Sequence, residues 1–224
     1  MEWDRTQEYA MTDYFNPYIN NNRRTLTLME MSVEGEKITR NHGLIVAKVG
    51  TQMAVELGCT TTFTRALYQS LFFHDIGKNY LPLSLLMKPD KLTYQERELI
   101  KEHCMLGFIE GSNSLQEYPG HFTHYEQQLM LTVILTHHER WDGTGYPMGI
   151  KGEEITLASR ICSYCDVLEA LTSGRSYKSI STIVDAIRII TEDSPGQFDP
   201  SLKDVFLASI EKLGFPHCVC TGCT

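Results

Sequence analysis

The chain has 224 residues, 42% of them hydrophobic and 21% charged, which is enough to bury one core in an ordinary globular protein. It contains no run of about 18 apolar residues and no secretory signal at its amino terminus, so we expect no membrane span and a cytoplasmic location. The formal charge of −8 argues against a DNA-coating surface. It does not exclude an anionic substrate, because bound divalent cations reverse the field inside a pocket.

The seven cysteines do not resemble the framework of a small disulfide-rich domain, because four are scattered in predicted helices and three crowd the carboxyl terminus. Cys162 and Cys165 lie one turn apart on a predicted helix, where we expect small core residues rather than a redox pair. The terminal Cys-x-Cys-x-x-Cys spacing lacks the second half of a zinc site. We therefore expect reduced thiols and an exposed cysteine-rich tail at residues 214–224.

Apolar residues recur every three or four positions along most of the chain, which is the spacing of one helix face. The predicted helices cover about residues 36–57, 63–74, 93–109, 130–138, 155–169, 180–190 and 201–213. Ile45 and Leu99 belong to the apolar faces of the first and third helices. No alternating strand pattern is present. The sequence therefore predicts an all-α fold, with a helical domain over 36–213 that follows an extension of loop and short helix over 1–35.

Local signals set the ends of several predicted elements. Gly58 is a natural stop for the first helix, and Thr93 with Glu96 forms a predicted capping box for the third. The segment Trp-Asp-Gly-Thr-Gly-Tyr-Pro at 141–147 has the glycines and the proline of a turn-rich connection. We predict a loop here and refer to residues 141–147 as the Gly-Tyr-Pro loop.

Ionisable side chains occupy positions where the helical pattern predicts a core. Five of the eight histidines and two aspartates lie on or beside apolar stripes: His42, His74, Asp75, His103, His137, His138 and Asp166. Burying so many ionisable groups without partners is costly, whereas metal ions satisfy imidazoles and carboxylates together. Such ligands, without cysteine, suit iron, manganese or zinc. This set exceeds what one tetrahedral ion needs, so we predict a binuclear centre bridged by Asp75, and Lys78 on the next turn suggests phosphate chemistry.

The order of these ligands, a histidine, a His-Asp pair and a later aspartate, resembles the HD phosphohydrolase superfamily. The additional histidines and the Asp-Gly-Thr-Gly-Tyr-Pro segment at 142–147 make the chain similar to an HD-GYP domain. The resemblance covers about residues 36–213 and includes the stretches at 88–93, 160–166 and 170–178. It implies a compact HD-type bundle of helices around a binuclear metal centre, in an enzyme that hydrolyses the bacterial second messenger cyclic di-GMP.

The resemblance also implies a role for each matching residue. One metal would be held by His42, His74, Asp75 and Asp166, and the second by Asp75, His103, His137 and His138. Lys78 and the bridging Asp75 are the implied catalytic residues. The implied substrate contacts are Lys78, Tyr146, Glu169, Arg175 and Lys178. The two metals would lower the pKa of a bridging water from 15.7 to about 7, and the resulting hydroxide would attack phosphorus in line with the leaving 3′ oxygen.

Two positions depart from the family pattern. Some members have a glutamate that recruits a third metal one turn before the first histidine, where this chain has Ile38, so we do not expect a trinuclear site. Glu169 stands where the family usually has an aspartate. Both departures leave open whether hydrolysis ends at the linear dinucleotide pGpG or continues to GMP.

Several alternatives stay open at this point. The metals are expected to be iron or manganese, with zinc, nickel and magnesium as alternatives. The substrate could instead be 3′,3′-cyclic GMP-AMP, or the domain could be a catalytically silent module in cyclic di-GMP signalling. The family also suggests a GGDEF-type diguanylate cyclase as a partner at the Gly-Tyr-Pro loop, and a homodimer is compatible with the sequence.

Overall fold

The computed structural model describes residues 33–117, 120–173, 182–194 and 196–215, and for residues 33–40 it describes the backbone alone. Two predicted substrate contacts, Arg175 and Lys178, lie outside the described residues. The same is true of nearly all of the amino-terminal extension and of the cysteine-rich tail.

All regular elements of the described residues are helical, which confirms the predicted all-α fold. The α-helices are α1 (Val33–Glu56), α2 (Thr61–Phe73), α3 (Leu83–Leu86), α4 (Tyr94–Lys101), α5 (His103–Glu117), α6 (His124–Thr136), α7 (Leu157–Thr172), α8 (Ile183–Arg188) and α9 (Lys203–Lys212). Short 3₁₀ turns cover Ile76–Tyr80, Gly152–Glu154 and Pro200–Leu202, and a π turn at Ile189–Asp193 continues α8. None of the described helices combines the length and the apolar character needed to cross a lipid bilayer.

Threonines fix the starting points of five of these helices. In each case the threonine Oγ1 accepts a hydrogen bond from the backbone N–H three residues later: Thr60, Thr93, Thr123, Thr156 and Thr182. At α4 and α6 a glutamate completes a capping box, and the box predicted from Thr93 and Glu96 is confirmed. Each cap stabilises its helix by about 1 kcal/mol. Local sequence therefore sets the start of α2 and of α6, the two helices that His74 and His137 directly follow.

The main core lies where α1 packs against α2, α7 and α9, and α2 also packs against α6. Cys162 and Cys165 are fully buried in this core as free thiols, as predicted. Two glycines bring neighbouring elements unusually close. A Cβ at Gly43 would lie 2.6 Å from the Phe72 carbonyl oxygen, and a Cβ at Gly77 would lie 1.9 Å from that of His103. The first contact joins α1 to the end of α2, and the second joins the 3₁₀ turn Ile76–Tyr80 to α5.

Three details of the predicted helices are wrong. The helix predicted over 93–109 is interrupted at Glu102 and resumes as α5, which continues to Glu117. Leu99 lies before this break and is 46% exposed, whereas His103 lies after it and is fully buried, so the two residues do not share a buried face. Ile45 is also exposed, at 41%, because the buried face of α1 runs through Val46 and Val49 instead.

Candidate metal centre

Four predicted ligands meet at the centre of the helical core and form what we call the first half-site. His42 comes from α1, His74 and Asp75 directly follow α2, and Asp166 lies on α7. The Nε2 atom of His42 lies 3.1 Å from Nε2 of His74, 3.3 Å from Asp75 Oδ2 and 3.2 Å from Asp166 Oδ1. All four side chains are buried. One ligand atom from each residue fits within 4.8 Å of the others, which is compatible with a single metal ion.

The second half-site uses the other oxygen of the same aspartate. His103 begins α5, and His137 and His138 directly follow α6. The Oδ1 atom of Asp75 lies 3.3 Å from His103 Nε2 and 3.5 Å from His137 Nε2, and these two nitrogens are 3.2 Å apart. With His138 they form a second set of ligand atoms within 4.8 Å of one another. Asp75 therefore faces both half-sites, as a bridging carboxylate would.

The hydrogen-bonding pattern of the second half-site leaves acceptor atoms facing one another, and a metal cation can satisfy such an arrangement. His103 Nδ1 donates to the carbonyl oxygen of Ile100, and His137 Nδ1 donates to that of Ile134. A neutral imidazole that carries its proton on Nδ1 has an Nε2 atom that can only accept. Asp75 Oδ1 is buried and accepts no hydrogen bond of normal geometry. Three acceptors thus face one another, and a metal ion would satisfy all three.

The ionisation states of Asp75 and Asp166 also favour the binding of a metal cation. Burial by itself would raise the pKa of Asp75, but the charge of Lys78 and the neighbouring histidines hold it well below its usual range. Burial would likewise raise the pKa of Asp166, and hydrogen bonds from His42 and His74 hold it well below. Both carboxylates are therefore ionised.

The histidines differ between the two half-sites. Burial lowers the pKa of both His137 and His138, so both are neutral imidazoles suited to bind metal. Burial would also lower the pKa of His42, but hydrogen bonds to three carboxylates outweigh it and raise the pKa to about 10. In the absence of a metal ion, a proton on His42 balances part of the negative charge that surrounds it.

The predicted catalytic lysine contacts the bridging aspartate directly. Lys78 lies on the 3₁₀ turn Ile76–Tyr80, one turn after Asp75, and its Nζ donates to Asp75 Oδ2. Its side chain is 18% exposed, against 4% for that of Asp75, so it lies at the solvent side of the centre. The ammonium group of Lys78 can therefore contact an anion bound at the centre while it stays hydrogen-bonded to Asp75.

Two predicted substrate contacts, Tyr146 and Glu169, lie against predicted ligand histidines. The ring of Tyr146 stacks on that of His138, with centroids 4.8 Å apart and planes inclined by 29°, and Lys101 Nζ lies 5.4 Å from the Tyr146 ring centroid. Glu169 is buried, and its Oε2 accepts a hydrogen bond of 2.6 Å from His42 Nδ1. Tyr146 and Glu169 therefore each contact a predicted metal ligand.

Two residues to which the sequence analysis gave no role support the Gly-Tyr-Pro loop or the residues directly after it. Glu139 is buried directly after His138, and its Oε1 accepts hydrogen bonds from the backbone N–H groups of Met148, at 2.6 Å, and Gly149, at 3.1 Å. Arg160 on α7 pairs with Asp199 at 2.5 Å and lies over the Trp141 ring at 5.6 Å. The position of Glu139 in the sequence, directly after the two histidines and just before a glycine-rich loop, could have predicted this role, because the backbone N–H groups of turns need acceptors.

The sequence profile of the HD domain matches residues 12–202. The chain belongs to the HD domain family. Among curated relatives of this HD domain, a cyclic di-GMP phosphodiesterase of Vibrio cholerae is 40% identical over 154 residues, which are 68% of this chain and 30% of the relative. A cyclic di-GMP phosphodiesterase of Thermotoga maritima is 32% identical over 201 residues, 89% of this chain and 52% of the relative. A 3′3′-cGAMP-specific phosphodiesterase of Vibrio cholerae is 32% identical over 182 residues, which are 79% of this chain and 39% of the relative.

A solved structure shows the same HD-domain fold. An HDG"Y"P protein from Bdellovibrio bacteriovorus superimposes with a TM-score of 0.60 at 22% identity, covering 88% of this chain and 60% of that protein. The HD domain described here spans between 30% and 52% of the length of the three curated relatives.

The structure brings all seven predicted metal ligands of this HD domain into two sets that share Asp75, and all of them except the partly buried His138 are buried. Lys78, Tyr146 and Glu169 each touch a member of that cluster. Membership of the HD family and the donor set together indicate that the domain binds divalent metal ions.

Proposed function

We propose that this HD domain hydrolyses cyclic di-GMP as a metal-dependent phosphodiesterase. The observation that carries the proposal is the pair of ligand sets that share Asp75, with Lys78 bound to the shared carboxylate. Two of the curated relatives described above are cyclic di-GMP phosphodiesterases, which supports this substrate. The relative that acts on 3′3′-cGAMP makes cyclic GMP-AMP the second candidate.

The chain's own residues would supply binding, orientation and charge. When bound, two divalent cations would provide Lewis-acid stabilisation and lower the pKa of water toward neutrality. Asp75 would hold the two half-sites at a fixed separation, since its oxygens face one set each. Lys78 would stabilise negative charge on the phosphate, because its ammonium group lies at the solvent side of the shared carboxylate. The proposal requires no side chain as nucleophile.

For the metals themselves, we propose iron or manganese. The donor atoms are imidazole nitrogens and carboxylate oxygens. Cys104 Sγ comes within 3.6 Å of His103 Nε2, but burial raises the pKa of this thiol, which disfavours the thiolate that soft metals select. Zinc, nickel and magnesium are alternatives that metal analysis would separate.

The Gly-Tyr-Pro loop is the proposed contact for a diguanylate cyclase. Pro147 and the following Met148 are exposed, and the side chain of Glu139 fixes the backbone beside them. This gives a small, stable surface for a partner protein. The same proposal places the domain in the cytoplasm, where cyclic dinucleotides signal, and admits a homodimer.

The decisive experiment measures metal content and turnover together on protein purified without oxygen. The variant is His74→Ala with Asp75→Ala, and the matched control is His124→Ala with Asp204→Ala, which removes an exposed histidine and an exposed aspartate. We expect two metals per chain and hydrolysis of cyclic di-GMP in wild type and control, and neither property in the variant. Cyclic GMP-AMP is assayed in parallel. Two metals without turnover of either dinucleotide would favour a silent binding module.

A further inference from the structure

A buried carboxylate stands behind one of the proposed metal ligands. Glu169 lies one turn after Asp166 on α7, and only 5% of its surface is exposed. Its Oε2 accepts a hydrogen bond of 2.6 Å from Nδ1 of His42, a residue 127 positions earlier in the chain. The length and burial of this bond are those of a charge-assisted contact that fixes both side chains.

Three of the other four predicted ligand histidines have a different kind of support. Nδ1 of His74 donates to the Leu71 carbonyl oxygen at 2.6 Å, and those of His103 and His137 donate to carbonyl oxygens of their own chain segments. These acceptors are neutral and lie three or four positions away, so each histidine is oriented locally. His42 is instead oriented by an anion on another helix. The support of the first half-site is therefore long-range and charged.

We propose that Glu169 is a positioning residue that orients His42 and raises the metal affinity of the first half-site. An imidazole that donates Nδ1–H to a carboxylate presents a more basic Nε2 lone pair, in a fixed direction, to the metal. The Nε2 of His42 already faces Asp75, Asp166 and His74. This inference rests on the proposed two-metal site, and it gives Glu169 a role other than the substrate contact that the family resemblance implied.

The test is a titration of metal-free protein with Mn²⁺ in the presence of a competing chelator, with free Mn²⁺ followed by electron paramagnetic resonance. His42→Ala and His138→Ala identify which binding step belongs to which half-site. Glu169→Gln keeps the shape of the side chain and removes its charge. We expect the step that depends on His42 to weaken by about 10- to 100-fold and the step that depends on His138 to stay unchanged.

A second comparison separates positioning from general damage. If Glu169 acts through His42, then Glu169→Gln causes no further loss of affinity in a chain that already carries His42→Ala. Glu126→Gln is the matched control, because Glu126 is a buried glutamate in the first turn of α6, at the opposite end from His137. It should leave both Mn²⁺ steps unchanged.

Four outcomes would overturn the inference. In Glu169→Gln, the Mn²⁺ affinity of the step that depends on His42 could be unchanged, or both steps could weaken equally. Glu169→Gln could cause a further loss of affinity in the His42→Ala background, or wild type could show no step that depends on His42. Should the amide variant fail to fold in thermal unfolding, Glu169→Asp carries the same test, because it withdraws the carboxylate by about 1.5 Å. Turnover is measured separately: wild type that binds Mn²⁺ without hydrolysing cyclic dinucleotides overturns the proposed function and leaves this inference standing.

Discussion

In the first half-site, Asp166 joins the bridging Asp75, and the carboxylate of Glu169 backs His42, so a cation there meets several negative charges. In the second half-site, the ligands other than Asp75 are three imidazoles. The first set is held by α1, α2 and α7 within the main core, whereas the second set closes against the Gly-Tyr-Pro loop through Tyr146. A shared aspartate thus joins two sites of unequal charge.

This difference suggests unequal roles for the two ions. The first half-site should hold its cation more tightly, because electrostatic attraction is strong where carboxylates are buried and water is excluded. The second should release its cation more readily, since His138 is only partly buried and its support is a stacked ring. The following changes test this asymmetry, beginning with the one that removes it altogether.

Replacing the shared aspartate should abolish both sites at once. Asp75→Asn keeps the shape of the side chain but removes the charge that faces both ligand sets. We expect both metals and all measurable turnover to be lost, as determined by elemental analysis and a cyclic di-GMP assay. The control is Asp204→Asn, an exposed aspartate on α9. Two metals retained in Asp75→Asn would contradict the bridging role.

Removing one histidine from each half-site should affect the binding of the two metal ions differently. His138→Ala is expected to lose the second metal and keep the first, whereas His42→Ala should weaken the first. A bound metal contributes several kcal/mol to transition-state stabilisation, so each variant should lose about 10³-fold in kcat. Metal stoichiometry at a fixed chelator concentration reads out the difference. Equal retention of metal by both variants would show that the half-sites do not differ in affinity.

Lys78 belongs to neither ligand set and should affect turnover without affecting metal content. Lys78→Met keeps the length of the side chain and removes its charge. We expect two metals per chain and a fall in kcat of about 10²- to 10³-fold, the usual cost of losing one donor that stabilises transition-state charge. The control is Lys101→Met, whose ammonium group lies over Tyr146. Loss of metal in Lys78→Met would mean that the lysine holds Asp75 in place rather than the phosphate.

The smallest expected effect concerns the ring that backs the second half-site. An aromatic stack contributes about 0.5–1.5 kcal/mol. Tyr146→Ala should therefore weaken the second metal by about 2- to 10-fold and leave the first unchanged, whereas Tyr146→Phe should keep both affinities because it keeps the ring. A competition titration with a chelator measures these shifts. An effect of Tyr146→Phe on turnover alone would indicate a substrate contact by the hydroxyl.

The sequence was sufficient for the elements whose causes are local. Apolar spacing predicts most of the helices, and the capping box of Thr93 and Glu96 predicts the start of one of them. The same spacing places most of the predicted ligands at positions that the structure buries. The bond between Glu169 and His42 was out of reach, because it depends on how α7 crosses α1. The interruption at Glu102 was missed for a related reason. Apolar periodicity continues across a break of one residue, so it does not reveal that α4 ends at Lys101 and α5 begins at His103.

The Gly-Tyr-Pro loop is held in place by hydrogen bonds near both of its ends. Backbone N–H groups of Trp141 and Asp142 donate to the carbonyl oxygens of Gln197 and Gly196, at 3.1 and 2.8 Å, and that of Gly152 donates to Trp141 at 3.0 Å. A glycine-rich exposed loop is ordinarily where a protease cuts first. Here the chain must detach from these acceptors, and from Glu139, before it can enter a protease cleft. The rate of proteolytic nicking in this loop would therefore report how often the loop, which carries the Tyr146 ring stacked on His138, detaches from the rest of the domain.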